Sequence, residues 1–133
     1  MIKVKNSDLN DTTSNAFQEL LNLDLPISLS WKIAKLAKEI DALIILKKET
    51  INNLITKHSI KDEEGKMILI EDSEGIYNTT QISNPDLYNK EIVDFESIYN
   101  EITFEPISIK VLEENNTKIK PSFFFNLSFM FTD

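Results

Sequence analysis

The chain has 133 residues, of which 41% are hydrophobic and 27% charged, which is the size and composition of one ordinary globular domain. It contains no cysteine, which excludes disulfides, thiolate metal ligands and thiol nucleophiles. All 14 basic residues are lysine, so two-pronged recognition of phosphate or guanine by arginine is also excluded.

Charge is unevenly divided along the chain. Residues 1–61 carry a net charge of +2 and residues 62–133 carry −10, which together give −8. An acidic half repels the phosphate backbone, which disfavours general nucleic-acid binding. The same charge could meet a basic groove on another protein, including a groove built to hold nucleic acid. The simpler alternative is a solvated surface that keeps the protein soluble.

The sequence predicts neither a targeting segment nor a membrane span. Polar residues 6–8 follow the first few residues at once, so no apolar signal region is expected. No run approaches the roughly 18 apolar residues that a spanning helix needs. We therefore expect a protein of the cytosol, with no membrane partner and with residues 1–133 forming a single domain.

The first residues predict a short strand followed by a helix. Ile2 and Val4 alternate with lysine, as in a strand with one buried face. Ser7 is the expected N-cap of a helix that runs to Asp24. The Leu25–Pro26 step then ends this helix, because the residue before a proline is pushed away from helical dihedral angles.

A long second helix is expected over residues 29–58, with Ser28 or Ser30 as its N-cap. No glycine or proline interrupts this stretch, so nothing in it would break the helix. Its apolar residues recur at three- and four-residue steps, which is typical of an amphipathic helix: Ile33, Ala37, Ile40, Ile44, Ile51, Leu54 and Ile55.

The middle of the chain predicts a turn, a hairpin and a third helix. Asp62–Gly65 is the expected turn, and Met67–Tyr77 the expected hairpin. Asn84–Pro85 supplies an N-cap with proline at the first helical position. The apolar seam of the third helix is expected to continue at four- and three-residue steps: Tyr88, Ile92, Phe95, Tyr99 and Ile102.

From Ile102 to Leu112 the apolar pattern changes to period two, with a slip at Pro106 that predicts a bulged or edge strand. Ile2–Val4 is its expected pairing partner, and Pro121 begins a last element. Together the elements predict an α+β fold in which a long central helix packs with two or three shorter helices and a small antiparallel sheet.

No constellation of residues predicts catalysis, a cofactor or a metal. His58 is the only histidine, and we interpret it as a helix C-terminal residue that suits the negative end of the helix dipole. Two glycines are too few for a phosphate-binding loop. The acidic residues around the expected hairpin lack the order of a calcium loop. We therefore expect a protein that is not an enzyme and that holds no cofactor.

Lysines of the long helix could contact phosphates, with Trp31 as the stacking aromatic nearby. Acidic residues interrupt the run, which favours a solvated face with intrahelical pairs such as Lys35 with Glu39.

The phenylalanine-rich segment Phe123–Phe131 has two possible interpretations. Its rings could fill the core, as large aromatics usually do. Alternatively, some of them, with Met130, could form an exposed patch for a partner, since aromatics and methionine are enriched at interfaces.

Four segments of the chain together resemble a family of small phage and prophage proteins: Ile2–Leu9, Leu25–Lys35, Phe104–Ile107 and Ile119–Ser122. The phenylalanine-rich tail departs from the family pattern. The resemblance implies a viral gene and supplies no catalytic residues.

Two functions are consistent with a small viral protein of this kind. One is inhibition of a host defence nuclease complex, as anti-CRISPR proteins do, with acidic residues that steer association and aromatic residues that anchor it. The other is a virion or tail-assembly component. In either case we expect a host or phage protein as the partner. The candidate partner-binding residues are Asp62, Glu63, Glu64, Glu71, Asp72, Glu74, Phe123, Phe124, Phe129 and Met130.

Overall fold

A computed structural model describes residues 1–66, 69–71, 77–80, 82–114 and 120–132. The fold is α+β, with one long helix, several shorter helices and a small antiparallel sheet, as the sequence predicts. The helices are α1 (Asp11–Leu21), α2 (Ile27–His58), α3 (Pro85–Glu96), α4 (Ile109–Glu114) and α5 (Pro121–Asn126). The strands are β1 (Ile2–Lys5), β2 (Leu69–Glu71), β3 (Tyr77–Thr80), β4 (Tyr99–Ile102), β5 (Ile107–Ser108) and β6 (Phe131–Thr132).

The chain divides into two compact units. The first comprises Met1–Ile45 and Ser97–Asp133, and the second comprises Leu46–Glu96. The buried apolar cluster belongs to the first unit. The expectation of a single domain stays a prediction.

Helix α1 begins later than Ser7, so the predicted N-cap is wrong. Asn10 is the cap, and its Oδ1 accepts the Thr13 backbone N–H at 3.0 Å. Ser7 lies instead in a 3₁₀ turn that follows β1 directly. Asparagine caps a helix as well as serine does, and the turn leaves Asn10 with the extended backbone that a cap requires.

Helix α2 confirms the prediction of a long helix. Its 32 residues extend about 48 Å at about 1.5 Å per residue. It starts directly after Pro26, so the predicted caps Ser28 and Ser30 lie inside its first turn. Its buried face in the first unit follows helical spacing: Ile33, Leu36, Ala37, Ile40 and Ile44.

Strands β1 and β4 pair antiparallel, with Ile2 opposite Ile102. The sequence predicts a partner strand from Ile102 to Leu112, but the observed partner is Tyr99–Ile102, so only the pairing at Ile102 is as expected. Tyr99 and Ile102 were expected in the seam of the third helix, but α3 ends at Glu96 and both lie in β4. The error arises because three- and four-residue spacing continues past the helix end by chance, whereas pairing with β1 decides the local structure.

The strand expected from Ile102 to Leu112 is also largely wrong. After β4 the chain forms only the two-residue β5, which pairs parallel with β6, and then α4. Ser108 Oγ accepts the Lys110 backbone N–H at 3.3 Å, a local bond that offers the chain an alternative to a continued strand. Leu112 is buried from α4.

Helix α5 fills the core from the C-terminal side. Pro121 begins it, as the sequence predicts. It packs on α1, and Phe123 is only 2% exposed, whereas Phe125 is 82% exposed. Two residues correspond to about 200° around a helix, so the two rings point in nearly opposite directions.

These two phenylalanines give a matched test of the core. Phe123→Ala is expected to lower the free energy of unfolding by about 3–5 kcal/mol, because it empties a packed site. Phe125→Ala is expected to change it by no more than about 0.5 kcal/mol, because its ring lies in solvent. Denaturant unfolding of both variants checks this. Equal losses would contradict the described core.

Candidate protein-binding surface

A groove of about 490 Å³ lies in the first unit, between the first half of α2 and the segment Thr103–Pro106. Leu36 and Phe104 are buried at its base. The other lining residues are Met1, Trp31, Lys32, Lys35, Glu39, Thr103, Glu105 and Pro106. The groove therefore combines an apolar base with a rim of both charges.

Two large apolar side chains on this groove face solvent. Trp31 is 66% exposed and Met1 is 76% exposed. Ile27, one helical turn before Trp31, is exposed as well. Trp31 precedes Ile33 by two residues and so lies off the buried stripe of α2, a signal already present in the sequence. The sequence prediction treated Trp31 only as a stacking aromatic and did not include it in the binding site.

The charged side chains of the groove differ in their surroundings. Lys32 Nζ lies 5.0 Å from the centroid of the Phe104 ring, in a cation–π contact. Lys35, Glu39 and Glu105 are exposed, and none of them forms an ion pair within the described ranges. The predicted intrahelical pair of Lys35 with Glu39 is therefore not formed. These charges are open to a partner.

The acidic turn that the sequence predicts is present in the second unit. Asp62, Glu63 and Glu64 are all exposed. Asp62 Oδ1 accepts the backbone N–H groups of Glu64 and Lys66, each at 2.9 Å, so this carboxylate holds the turn together. Gly65 has a φ of 82°, which a residue with a Cβ rarely adopts. Glu63 and Glu64 are exposed on the turn, where Glu64 lies 3.9 Å from Lys66 Nζ, and their role as contact residues stays a prediction.

The other three predicted acidic residues cannot be placed in the same way. Asp72 and Glu74 lie outside the described residues, and of Glu71 the structure describes only its place in β2.

The phenylalanine-rich segment is mainly core. Phe123 and Met130 are buried, so their prediction as surface contact residues is wrong. Phe124 packs edge-on against Phe131, with 5.2 Å between the ring centroids. The ring centroid of Phe129 lies 6.2 Å from that of Phe17. Both are partly buried. Phe125, which the prediction omitted, is the exposed ring of the segment, because α5 turns its other face to α1.

His58 is buried in the second unit and joins α2 to α3. Its Nε2 lies 2.7 Å from Glu91 Oε2, and it donates this hydrogen bond because an ionised carboxylate can only accept. The ring of Tyr88 packs edge-on against the His58 ring, with 5.8 Å between the ring centroids. The backbone carbonyl of His58 accepts the N–H of Ser83 at 2.8 Å. The sequence prediction did not identify Glu91 as its partner.

The hydrogen bond from His58 lowers the pKa of Glu91 below its ordinary value of 4.5, and Lys57, 3.2 Å away, lowers this pKa further. The carboxylate is thus held in its charged form by two donors from the end of α2. The arrangement is that of a structural clamp within the second unit.

The pKa of Glu91 is lower in the folded state than in the unfolded state, so the ionised carboxylate stabilises the fold. This stabilisation is fully present above about pH 4.5 and is lost as the pH falls through the pKa that Glu91 has in the folded state. Glu91→Gln is therefore expected to destabilise the protein at neutral pH, and this deficit should shrink below pH 4.5. Denaturant unfolding across pH measures it, with hydrogen exchange near His58 as the local readout. Glu113→Gln, at an exposed site, is the control, and a deficit that is constant with pH would contradict the clamp.

Within the part of the chain that the structure describes, no group of three or more histidine, aspartate or glutamate side chains could hold a metal ion. Of the helices described, none has the length and apolar character needed to cross a bilayer.

No protein-family model, no curated protein sequence and no solved structure matches this chain. The resemblance to small phage proteins therefore stays a prediction.

Proposed function

We propose that this chain is a non-enzymatic protein-binding factor of phage origin that inhibits a host nuclease complex. The observation that carries the binding function is the exposure of Trp31 on the rim of an apolar groove. The phage origin comes from the sequence resemblance, and the choice of target comes from charge.

Trp31 has the properties of an interface anchor. Tryptophan is among the residues that dominate binding energy at interfaces, where a few large side chains enter desolvated pockets. The floor of the groove is formed by buried Leu36 and Phe104 and so exists before binding. A preformed site avoids part of the ordering cost of association.

Charge supports a target that handles nucleic acid. The exposed Glu63 and Glu64 belong to the half of the chain that carries a net charge of −10. Such a surface attracts a basic groove and speeds its association, and the effect weakens with salt. A nuclease complex must present a basic groove to hold its nucleic acid, so an acidic protein can occupy it in place of phosphate.

A virion or tail-assembly role is the second candidate, and one observation favours it. Ile27 and Trp31 lie one helical turn apart on α2, and both are exposed. Large apolar side chains on one face of a helix suit lateral packing in a larger assembly. Mass spectrometry of purified phage particles decides between the two roles, because an assembly component is retained at fixed stoichiometry and an inhibitor is not.

Trp31→Ala is expected to weaken capture of the target by about 30-fold, the loss typical of an interface hot spot of about 2 kcal/mol. The assay uses immobilised protein, host-cell extract and quantitative mass spectrometry of the captured complex. Phe125→Ala removes an equally exposed ring elsewhere in the first unit and is the matched control. Equal capture by both variants would contradict the proposed anchor.

Reversal of Glu63 and Glu64 to lysine tests the steering charge separately. Asp62 is left unchanged because it holds the turn. The double variant is expected to bind the captured complex with a slower association rate and a weaker dependence on salt. Unchanged association kinetics would argue against electrostatic steering.

A further inference from the structure

Strand β4 has an outer edge with free backbone hydrogen-bonding groups. The Asn6 N–H donates to the Ile98 carbonyl at 2.9 Å, which fixes the alternation of the β1–β4 ladder. Hydrogen-bonded pairs recur every second residue, so Asn100 and Ile102 bond towards β1. The N–H and C=O groups of Glu101 therefore point away from β1. Within the described ranges no backbone group bonds to them.

The side chains along this edge alternate in chemistry. Glu101, Thr103 and Glu105 are all exposed, whereas Ile102 and Phe104 are buried. In an extended chain, residues two apart share a face, so the two carboxylates lie on the same face of the strand and its continuation. A strand added beside them would place every second side chain next to a carboxylate and the intervening ones against an apolar surface.

The same edge leads into the groove. Thr103 and Glu105 line one side of the groove, Trp31 lines it from α2, and the buried Leu36 and Phe104 form its base. A side chain carried by an added strand can thus reach Trp31 while its backbone pairs with β4.

We propose that the outer edge of β4 and the adjoining groove bind an extended segment of a partner protein as an added strand, with basic and apolar side chains in alternation. The proposal rests on the protein-binding function above and specifies the chemistry of the partner. Backbone pairing supplies affinity in this mode, and the side-chain pockets supply specificity. Lysine or arginine faces Glu101 and Glu105, and an aliphatic or aromatic residue lies against Trp31.

A second copy of this chain fits the edge less well. Antiparallel self-pairing centred on Glu101 would place two glutamates directly opposite each other. Like charges at opposed positions destabilise a strand pair. The groove is also lined by Lys32, whose Nζ lies over the Phe104 ring, and by Lys35. These lysines repel basic side chains. The partner's basic residues therefore belong beside Glu101 and Glu105, and its apolar residue belongs beside Trp31.

The probe is a short capped peptide that alternates lysine with leucine. Trp31 is the only tryptophan of the chain, so its fluorescence reports on this groove alone. We expect a saturable blue shift on titration as the ring leaves water. The same peptide with every lysine replaced by glutamate should show at least about tenfold weaker binding, because it places like charges beside Glu101 and Glu105.

Backbone methylation isolates the strand pairing. N-methylation of alternate amides removes the N–H donors of one peptide edge, and the methyl groups keep a strand from approaching that edge. All side chains stay in place. We expect binding to weaken about tenfold when the methylated edge is the one that faces β4, which corresponds to the loss of about two hydrogen bonds. Methylation of the opposite edge is the internal control and should leave binding unchanged.

Charge reversal in the protein completes the test. The double variant Glu101→Lys and Glu105→Lys should bind the lysine–leucine peptide about tenfold more weakly, and Glu113→Lys should bind it normally. Circular dichroism confirms that each variant is folded.

The outcomes separate this proposal from the proposed function. No binding of the lysine–leucine peptide, or equal loss from methylation of either edge, overturns strand addition. If Trp31→Ala still weakens capture of the host complex by about 30-fold in that case, the protein-binding function stands and only its mode is wrong. Growth of the protein into larger species without peptide, abolished by Glu101→Lys, would assign the edge to a second copy and also overturn the proposal.

Discussion

The pairing of β1 with β4 is the contact on which the first unit depends. It joins segments 96 residues apart, and Asn100 reinforces it by donating from Nδ2 to the Val4 carbonyl at 3.1 Å and to Asn6 Oδ1 at 2.8 Å. Closing a loop of this length costs about 4 kcal/mol of chain entropy. Each large apolar side chain buried in return contributes about 1.5–3 kcal/mol. The segment after β4 brings Phe104, Leu112 and Phe123 into the core, which is enough to outweigh the closure cost.

The same pairing also creates the candidate binding site. Because β1 is the only strand paired with β4 in the described residues, one edge of β4 is used to close the chain and the other is left open. The chain leaves β4 without regular structure at Thr103–Pro106, and this segment forms a wall of the groove. The open edge and one side of the groove are therefore consequences of one topological constraint, whereas Trp31 is exposed because it lies off the buried stripe of α2.

Sequence reasoning succeeded where a pattern was long and local. Helix α2 was predicted to within two residues at its start, because no glycine or proline interrupts its apolar periodicity. For β1, the strand itself and its pairing at Ile102 were predicted, but the expected partner was Ile102–Leu112 and the observed one is Tyr99–Ile102. The errors share a different cause. Ser7 and Asn10 are equally good caps, and the spacing of Tyr99 and Ile102 suits a helix as well as a strand, so tertiary contacts made the choice.

The candidate binding surface was harder to predict than the fold for a related reason. A run of phenylalanines indicates large apolar area but does not say which rings the rest of the chain covers. Phe123 enters the core and Phe125 does not, and only the docking of α5 on α1 decides between them. The acidic residues posed the same problem. The Asp62 carboxylate accepts a backbone hydrogen bond within its turn, whereas the side chains of Glu63 and Glu64 are exposed to solvent.

The proposed function assigns folding and binding to different aromatic residues of this chain, and this separation has a physical consequence. The buried rings contribute their hydrophobic free energy to folding and have little left for a partner. Trp31 is in the opposite position, because most of its surface is still hydrated and folding gains little from it. Most of its hydrophobic free energy is therefore available to an interface. A ring placed in this way can be removed without unfolding the protein, so a loss of binding at Trp31 reports on the interface itself.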